Sequence, residues 1–445
     1  MRRRLAHKVQ DQRGTVRIYC RPRPPAFGNP IVSVPSDSTV VISQEKIMDM
    51  KTTTGHGIQK DNTDNLLQLG FEFDRVFDPL CSQAEVYEEV ESLVMDALDG
   101  YSVCILAYGQ AKSGKTFTLL GDISQPSINR NLGGVHFNAV NHLFAVAETR
   151  NERYQDTFSM TILEIQEDRL FDLIAGTRAA LQYGEPVSAE APLSKKKSRS
   201  RRRSTDDPDM QNVSVSQQNK LEIKSNFDGD TVVQGVISVP ITCPQDVIDL
   251  WNECLAQRES QLGTINSNLS KSHVFFTLSI VSTNIATGVT AVGKLQFVDL
   301  SGSDYVDGQN YGDNFKYRDK SLATLSEVVE AKCQYLRSVP YRNSTLTHLL
   351  RDSFEGDTKV LMFCCISSDA EDAQVSFSGP CPLLGSILLL VLHPKPYFDI
   401  FTAYKGSSQI CKTHAESIGG SSNKAYYVSR GRSTLVTVSF SVYVL

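Results

Sequence analysis

The hydrophobic pattern of this 445-residue chain changes repeatedly between strand-like and helix-like periods. Alternating or continuous apolar runs, which are typical of β-strands, occupy residues 15–20, 71–77, 103–108, 158–165, 220–223, 231–239, 274–282, 294–299 and 360–366. Apolar residues at helical spacing predict helices over residues 83–99, 135–149, 245–259, 321–336 and 344–354. Because strands alternate with helices, we predict an α/β fold in which helices flank a central, mostly parallel sheet.

The run V-C-I-L-A-Y at residues 103–108 is apolar throughout, as expected of a central strand that is buried on both faces. It leads directly into G-Q-A-K-S-G-K-T at residues 109–116, which fits the phosphate-binding pattern G-x-x-x-x-G-K-[ST]. Glycines let backbone N–H groups close around a triphosphate. Lys115 brings a positive charge to the β- and γ-phosphates, and Thr116 offers a hydroxyl to Mg²⁺ where a helix begins. The predicted nucleotide-binding residues of this loop are Gly109, Gln110, Ala111, Lys112, Ser113, Gly114, Lys115 and Thr116.

Composition indicates a globular chain that can bury a core, since 40% of the residues are hydrophobic and 21% are charged. The net charge of −5 gives no argument for nucleic-acid binding, so we expect no nucleic-acid partner. The ten cysteines form no C-x-x-C pair, which is typical of reduced intracellular thiols. The most apolar run, residues 383–392, is about half as long as a membrane span. We therefore predict a soluble cytoplasmic protein with no membrane partner.

Several further motifs occur in a fixed order, and together they resemble the kinesin motor domain over residues 14–376. Before the phosphate loop stand R-P-R-P at residues 21–24, F-D-R-V-F at 73–77 and Q-A-E-V-Y at 83–87. After it, N-S-N-L-S-K-S-H at 266–273 lies where kinesins have switch I, and D-L-S-G-S-D at 299–304 lies where they have D-L-A-G-S-E, switch II. The first residues and L-D-G-Y-S-V at 98–103 most resemble the minus-end-directed, C-terminal-motor kinesins.

This resemblance implies that the chain binds ATP and Mg²⁺, hydrolyses ATP and binds microtubules in the cytoplasm, as part of the cytoskeleton. It implies that Ser270 reaches the γ-phosphate and Mg²⁺, that Asp299 and Thr116 help to hold Mg²⁺, and that the N–H of Gly302 senses the γ-phosphate. It also implies that the adenine and ribose are framed by Arg21, Arg23, Pro24 and Tyr87. His273 is either a core histidine or part of switch I.

Several residues depart from the kinesin pattern at positions that matter for hydrolysis. Ala111 replaces a threonine, and Leu269 replaces the first serine of switch I. Lys271 and Asp304 replace an arginine and a glutamate that pair to close the site. Their charges remain complementary, but lysine lacks the planar fork of arginine and aspartate is shorter than glutamate. We therefore expect nucleotide binding with slow hydrolysis or none.

The predicted microtubule face also departs from the kinesin pattern. Thr345 and His348 stand at two positions where kinesins carry basic residues. Because tubulin is acidic, this change predicts weaker binding to microtubules. Two hypotheses follow: a microtubule-stimulated ATPase motor head, or a degenerate module that binds nucleotide or microtubules without productive hydrolysis. A nucleic-acid-binding P-loop protein is the third and least favoured.

Three regions lie outside the motor pattern. Residues 1–13 are interpreted as a neck stub, and residues 188–219 as a disordered insertion with a basic run at 195–203. That run either tethers acidic tubulin tails or is a nuclear-localisation patch or a solvated charge run. Residues 377–445 are either an alternative or mispredicted exon or a lineage-specific tail. No heptad repeat is present, so we predict that this chain is monomeric.

Overall fold

The structure, a computed structural model, describes residues 16–25, 30–45, 66–122, 133–187, 221–226, 229–262, 272–303, 314–334 and 336–369. Its strands are β1 (Val16–Arg23), β2 (Val32–Ser33), β3 (Thr39–Glu45), β4 (Leu66–Glu72), β5 (Arg75–Val76), β6 (Ser102–Tyr108), β7 (Tyr154–Gln166), β8 (Arg169–Asp172), β9 (Glu185–Pro186), β10 (Glu222–Ser225), β11 (Thr231–Gln234), β12 (Ile237–Ile241), β13 (His273–Asn284), β14 (Thr290–Asp299) and β15 (Lys359–Ser367). Its helices are α1 (Gln83–Leu98), α2 (Lys115–Leu120), α3 (Val135–Thr149), α4 (Arg178–Tyr183), α5 (Pro244–Leu262), α6 (Asn314–Cys333), α7 (Thr345–Leu349) and α8 (Arg351–Glu355).

A ten-stranded sheet in the order β5-β1-β15-β6-β14-β13-β7-β12-β9 forms the centre, with β8 paired to β7. The strands from β5 to β14 in this order pair in parallel, whereas those from β14 to β9 pair antiparallel. The predicted α/β class is confirmed, but the sheet is mixed rather than mostly parallel. The reason is that β13 runs into β14, and β7 into β8, through short turns, which can connect only antiparallel neighbours.

Two hydrophobic clusters cover the two faces of this sheet. Helices α1, α3 and α5 pack on one face, and α6, α7 and α8 pack on the other. The central strand β6 supplies both clusters: Val103, Ile105 and Ala107 point into the first, and Cys104, Leu106 and Tyr108 into the second. This two-sided burial explains why its sequence is continuously apolar rather than alternating.

Helix α1 crosses the sheet from one end of the parallel strands to the other. Its start is capped by Ser82, whose hydroxyl accepts the N–H of Glu85 at 3.3 Å, while the Glu85 carboxylate accepts the N–H of Ser82 at 2.8 Å. This capping box satisfies two N–H groups that the helix leaves open. The helix ends at Leu98 with Asp99 as its C-cap, and the glycine predicted to stop it, Gly100, follows with a φ of +99°.

Most predicted elements are present, with different bounds. Helix α3 has the bounds predicted for it, whereas α6 begins several residues before its predicted start. The strand predicted over residues 231–239 is divided into β11 and β12 near Gly235, whose φ is +88°. The helix predicted over 344–354 is divided into α7 and α8. The short elements β8, β9 and α4 were not predicted.

The predicted neck stub, basic insertion and C-terminal tail lie outside the described residues, so those predictions remain untested. None of the helices within the described residues combines the length and the apolar composition that crossing a bilayer requires.

Candidate nucleotide-binding site

The predicted phosphate loop connects β6 to α2 in a conformation that requires glycine at its first position. The φ of Gly109 is +150°, and a Cβ atom there would lie 2.0 Å from the carbonyl oxygen of Cys365. Gly114 has a φ of +97° and immediately precedes α2. Lys112 also lies in the left-handed region, with a φ of +62°. The loop is therefore held tightly against the end of β15.

The Lys115 side chain is folded into this loop. Its Nζ donates to the carbonyl oxygen of Gly109 at 2.9 Å and to that of Gln110 at 2.6 Å. The side chain is buried. The ammonium group is thus held inside the loop, where the backbone N–H groups of a phosphate loop receive phosphates.

Thr116 and Asp299 meet although they are far apart in sequence. The Thr116 hydroxyl donates to Asp299 Oδ2 at 2.5 Å. They meet because Asp299 ends β14, and β14 pairs in parallel with β6, the strand that leads into the loop. A hydroxyl and a carboxylate are the oxygen donors that Mg²⁺ prefers. These residues therefore fit a Mg²⁺ ion bound together with a nucleotide.

The segment that follows β14 packs directly on the phosphate loop. A Cβ atom on Gly302 would lie 2.9 Å from the Ala111 nitrogen and 3.1 Å from the Ala111 Cβ. The N–H of Ser303 donates to the Gly109 carbonyl at 3.1 Å, and that of Leu300 donates to the Ala107 carbonyl at 3.2 Å. A side chain at position 302 would force this segment off the loop.

His273 connects the start of β13 to the same segment. The N–H of Ser301 donates to His273 Nδ1 at 3.1 Å, and both residues are buried. Since Nδ1 accepts this bond, a neutral imidazole carries its proton on Nε2. His273 is therefore a buried histidine that also joins the end of the predicted switch I to the predicted switch II.

Arg23 and Pro24 lie at the end of β1, next to the loop. The guanidinium of Arg23 donates to the Lys112 carbonyl at 2.6 Å and to the Ser367 hydroxyl at 3.3 Å, and it also pairs with Asp369. Pro24 is exposed. Arg23 thus ties the phosphate loop to the ends of β1 and β15, a role that the R-P-R-P motif alone does not reveal.

Arg21 faces the interior of the protein. Its guanidinium donates to Gln83 Oε1 at 2.9 Å and to Thr118 Oγ1 at 3.1 Å, and it lies 5.4 Å from the centre of the Phe117 ring. Burial lowers the pKa of Arg21. These contacts hold α1 and α2 against β1, and its predicted contact with adenine remains a prediction.

Tyr87, on α1, packs against α3. It is buried, and its hydroxyl lies 3.1 Å from His142 Nδ1 on α3. This position supports the helices behind the loop, and its predicted contact with the nucleotide is untested. Ser270, Lys271 and Asp304 lie outside the described residues, as does Leu269, so their predicted roles also remain untested.

Three buried oxygens around the loop make no hydrogen bond within the part of the chain that the structure describes. They are Gln110 Oε1, Ser113 Oγ and Ser301 Oγ. A buried polar atom without a hydrogen bond costs free energy, so such atoms are rare unless a ligand or water completes them. Part of the unmet hydrogen-bonding capacity of the described residues is therefore grouped at this loop.

The two residues of the predicted microtubule face, Thr345 and His348, lie on α7, on the opposite face of the sheet from α1, and Arg351 begins α8 next to them. The N–H of Thr345 donates to Asp168 Oδ1 at 2.6 Å, and its hydroxyl donates to the Asp168 carbonyl at 2.7 Å. Arg351 donates to Glu355 at 2.9 Å and to the Gly229 carbonyl at 2.9 Å. Burial, followed by the charges of nearby arginines, lowers the pKa of His348. Of these three residues, Thr345 is uncharged, the lowered pKa of His348 favours its neutral form, and Glu355 offsets the charge of Arg351.

Comparison with known proteins agrees with this architecture. Residues 35–379 match the family described as the kinesin motor domain. The kinesin-like protein KIN-14P of Oryza sativa subsp. japonica is 32% identical over 381 residues, which cover 84% of this chain and 32% of the relative. The kinesin-like protein KIN-14H of Arabidopsis thaliana is 31% identical over 383 residues, which cover 84% and 31%. The chain therefore spans about a third of the length of these curated relatives.

Two solved structures show the same fold. The C-terminal motor and motor homology domain of Kar3Vik1 aligns with a TM-score of 0.64 at 24% identity, covering 87% of this chain and 88% of that chain. A fast kinesin aligns with a TM-score of 0.64 at 23% identity, covering 84% and 90%.

Proposed function

Because the chain belongs to the kinesin motor-domain family, we propose that it is an ATP-dependent motor head that binds microtubules. The family match confirms the resemblance to the kinesin motor domain that was found in the sequence. The curated relatives are KIN-14 kinesins, which belong to the C-terminal-motor subgroup that the sequence most resembles. The observation that carries the proposal is that Lys115, Thr116, Asp299 and Gly302 meet at the carboxyl ends of β6 and β14.

In this proposal the loop residues position ATP. The N–H groups of the loop and the Lys115 ammonium hold the β- and γ-phosphates, while Thr116 and Asp299 hold Mg²⁺. When bound, Mg²⁺ would supply positive charge that stabilises the charge developing on the phosphates, and Thr116 and Asp299 would hold it there. Phosphoryl transfer requires positioning and charge stabilisation rather than covalent participation by the protein. This requirement suits a site made mainly of N–H groups, one ammonium group and two oxygen donors.

We propose that the N–H of Gly302 senses the γ-phosphate. The backbone of Gly302 lies against Ala111 of the loop. A γ-phosphate that accepts a hydrogen bond from the Gly302 N–H would therefore bind next to this contact. The proposal assigns Ser270 to the γ-phosphate and Mg²⁺, and the pair Lys271 and Asp304 to closure of the site. The proposed location is the cytoplasm, on microtubules of the cytoskeleton. That this chain is monomeric stays a prediction.

The second candidate is a degenerate module that binds nucleotide or microtubules without productive hydrolysis. It is favoured by the lysine and aspartate at positions 271 and 304. It is also favoured by Thr345 and Arg351, whose polar groups are bonded to Asp168, Gly229 and Glu355. A track-binding surface needs such groups facing the partner.

One experiment distinguishes these two candidates. ATPase rate is measured with and without microtubules, and co-sedimentation with microtubules is measured with a non-hydrolysable ATP analogue. Stimulated turnover supports the motor head, and binding without turnover supports the degenerate module. Absence of both turnover and binding contradicts both candidates.

A further inference from the structure

The guanidinium of Arg23 bridges the phosphate loop and the end of the central strand β15. Its Nη1 donates to the Lys112 carbonyl at 2.6 Å. Its Nη2 donates to the Ser367 hydroxyl at 3.3 Å and also pairs with the Asp369 carboxylate. Arg23 and Ser367 are register partners in the parallel pair of β1 and β15, so the sheet fixes where this side chain begins. Both terminal nitrogens of Arg23 are therefore engaged, one with the loop and one with the sheet.

The Lys112 backbone has a conformation that is unfavourable for a lysine. Its φ of +62° lies in the left-handed region, where the Cβ of any residue other than glycine crowds the backbone. Such a conformation persists only where the surroundings hold it. A left-handed residue in a loop also turns successive backbone N–H groups towards a common side, which is how such loops bind anions. The contact that holds Lys112 therefore bears on how the loop receives phosphates.

The Asp369 carboxylate keeps the Arg23 guanidinium next to this cationic loop. The two side chains are partly buried, with exposed fractions of 30% for Arg23 and 18% for Asp369. The backbone N–H of Asp369 donates to the Ser367 hydroxyl at 3.3 Å, so the end of β15 positions the carboxylate as well. Bonds between a planar guanidinium and a carboxylate are strongly directional. The orientation of Arg23 is thus set by the end of the sheet without any ligand.

We propose that Arg23 is a positioning residue of the phosphate loop, which holds the Lys112 backbone in the conformation that receives the phosphates. This role differs from the contact with adenine or ribose that the resemblance to kinesins implies for Arg23. It requires that Arg23 influences the binding of phosphates that carry no base. The inference rests on the proposed function, because it assumes that the loop binds ATP.

The test uses two ligands that share a triphosphate and differ in the base and sugar. Dissociation constants of a non-hydrolysable ATP analogue and of inorganic tripolyphosphate, the latter by competition with the former, are measured with Mg²⁺ on the full chain. We expect Arg23→Gln to weaken both ligands about tenfold, because the charged bond that holds the loop is lost. Asp369→Asn retains the arginine and should weaken both ligands about threefold.

A double-mutant cycle with Lys112→Gly tests how Arg23 acts. Glycine adopts a positive φ without the penalty that lysine carries. In the Lys112→Gly chain, Arg23→Gln should therefore weaken either ligand by less than about twofold, instead of the tenfold expected in the natural chain. The charge of the Lys112 side chain does not affect this comparison, because it is absent from both chains of the glycine pair.

A matched control is Arg75→Gln, on β5 at the edge of the sheet. The Arg75 side chain is 34% exposed, close to the value for Arg23, and it lies 3.1 Å from Asp37 and 3.4 Å from Glu89. This change should leave both dissociation constants unaltered. Urea unfolding of each ligand-free variant identifies the conditions in which it is folded, and the titrations are made there.

Three results would overturn the inference. Weaker binding of the analogue with unchanged binding of tripolyphosphate would assign Arg23 to the base or the ribose. Unchanged binding of both ligands, or an equal loss in the natural and Lys112→Gly chains, would show that Arg23 does not hold the loop. In all three cases the natural chain still binds the analogue, so the proposed function stands. A natural chain that binds neither ligand overturns the proposed function and this inference together.

Discussion

Two buried lysines occupy opposite ends of the central parallel strands. Lys115 follows β6 at the carboxyl end, and Lys359 begins β15 at the amino end. Their exposed fractions are 7% and 6%. Lys115 donates to the carbonyl oxygens of Gly109 and Gln110. Lys359 lies 2.7 Å from the carboxylate of Asp96 and 4.8 Å from the centre of the Tyr101 ring.

The two lysines differ in function because Lys359 is bound to a carboxylate and Lys115 to backbone carbonyls. A buried carboxylate cancels the charge of an ammonium group and makes the pair costly to separate. Backbone carbonyls position an ammonium group without cancelling its charge, so the charge can act on an incoming phosphate. The same side chain therefore contributes to stability at one end of the sheet and is positioned for ligand binding at the other.

The largest expected effect is on the stabilising lysine. Lys359→Met would leave the Asp96 carboxylate buried without its ammonium partner, which should lower the free energy of unfolding by about 3–5 kcal/mol. Urea unfolding measures this loss. Adding Asp96→Leu should recover most of it, and affinity for a non-hydrolysable ATP analogue should remain unchanged at temperatures where the variant is folded. A loss below about 1 kcal/mol would mean that the pair is not desolvated as the structure shows.

The matching change at Lys115 in the loop should affect nucleotide affinity strongly and stability less, which is the reverse of Lys359→Met. Lys115→Met should weaken binding of the ATP analogue by about 100-fold, which is about 2.7 kcal/mol. The free energy of unfolding should fall by about 1–3 kcal/mol, less than for Lys359→Met, because the variant leaves two carbonyls without a donor but no buried charge without a partner. Titration and urea unfolding on the same preparation measure both. Comparable nucleotide binding by the two single variants would break the contrast between the lysines.

A buried histidine should make stability, but not nucleotide affinity, depend on pH. His136 lies in the first turn of α3, is 1% exposed, and has its ring centre about 5 Å from those of Phe137, Phe276 and Phe297. Burial lowers its pKa from 6.5 to about 3. The unfolded chain therefore takes up a proton below about pH 6.5 that the folded chain does not, and stability falls as the pH is lowered.

The size of this effect follows from the two pKa values. Between pH 7.5 and 5.5 the histidine should remove about 1.4 kcal/mol of stability. Urea unfolding of the natural chain and of His136→Phe at both values measures it. The free energy of unfolding of His136→Phe minus that of the natural chain should be larger at pH 5.5 than at pH 7.5 by that amount. A difference that is the same at both pH values would show that the pKa of His136 in the folded protein equals that in the unfolded chain.

The smallest expected effect concerns the helix that connects the two ends. Gln83 at the start of α1 bonds to Arg21 near the loop, and Asp96 near its end bonds to Lys359. Ser82→Ala removes the capping box and should cost about 1 kcal/mol of unfolding free energy. Glu88→Ala, at an exposed position in the middle of α1, is the control and should cost less. Analogue affinity that falls more than twofold for Ser82→Ala would indicate that the two ends are coupled through α1.

Local sequence patterns were sufficient for much of the fold. The bounds of α3 and the existence of β6 and α1 were predictable, because each has a continuous apolar run or stripe within a single segment. Short turns account for the antiparallel pairs β13–β14 and β7–β8, but the pairing of β7 with β12 and β13 was not predictable, because these strands are distant in sequence. The interruption between α7 and α8 at Leu350 was missed because the apolar pattern continues through it without a break.

The site divides in the same way. Residues 109–116 were recognisable because their glycines, lysine and threonine have a fixed local spacing. Asp299 and Gly302 were placed by resemblance to kinesins, and the structure brings both against the loop. No local signal indicated that Arg21 turns inward to Gln83 and Thr118 or that Ser301 lacks a hydrogen bond.

The amino-acid order was therefore enough to establish a phosphate loop, a kinesin-like set of motifs and the elements that carry them. Folding had to be known to see which of two buried lysines pairs with a carboxylate and which buried hydroxyl is left without a partner. The physical reason is that periodicity and spacing are properties of neighbouring residues. Hydrogen-bond satisfaction and desolvation, in contrast, depend on every group that the fold brings close, whatever its position in the chain.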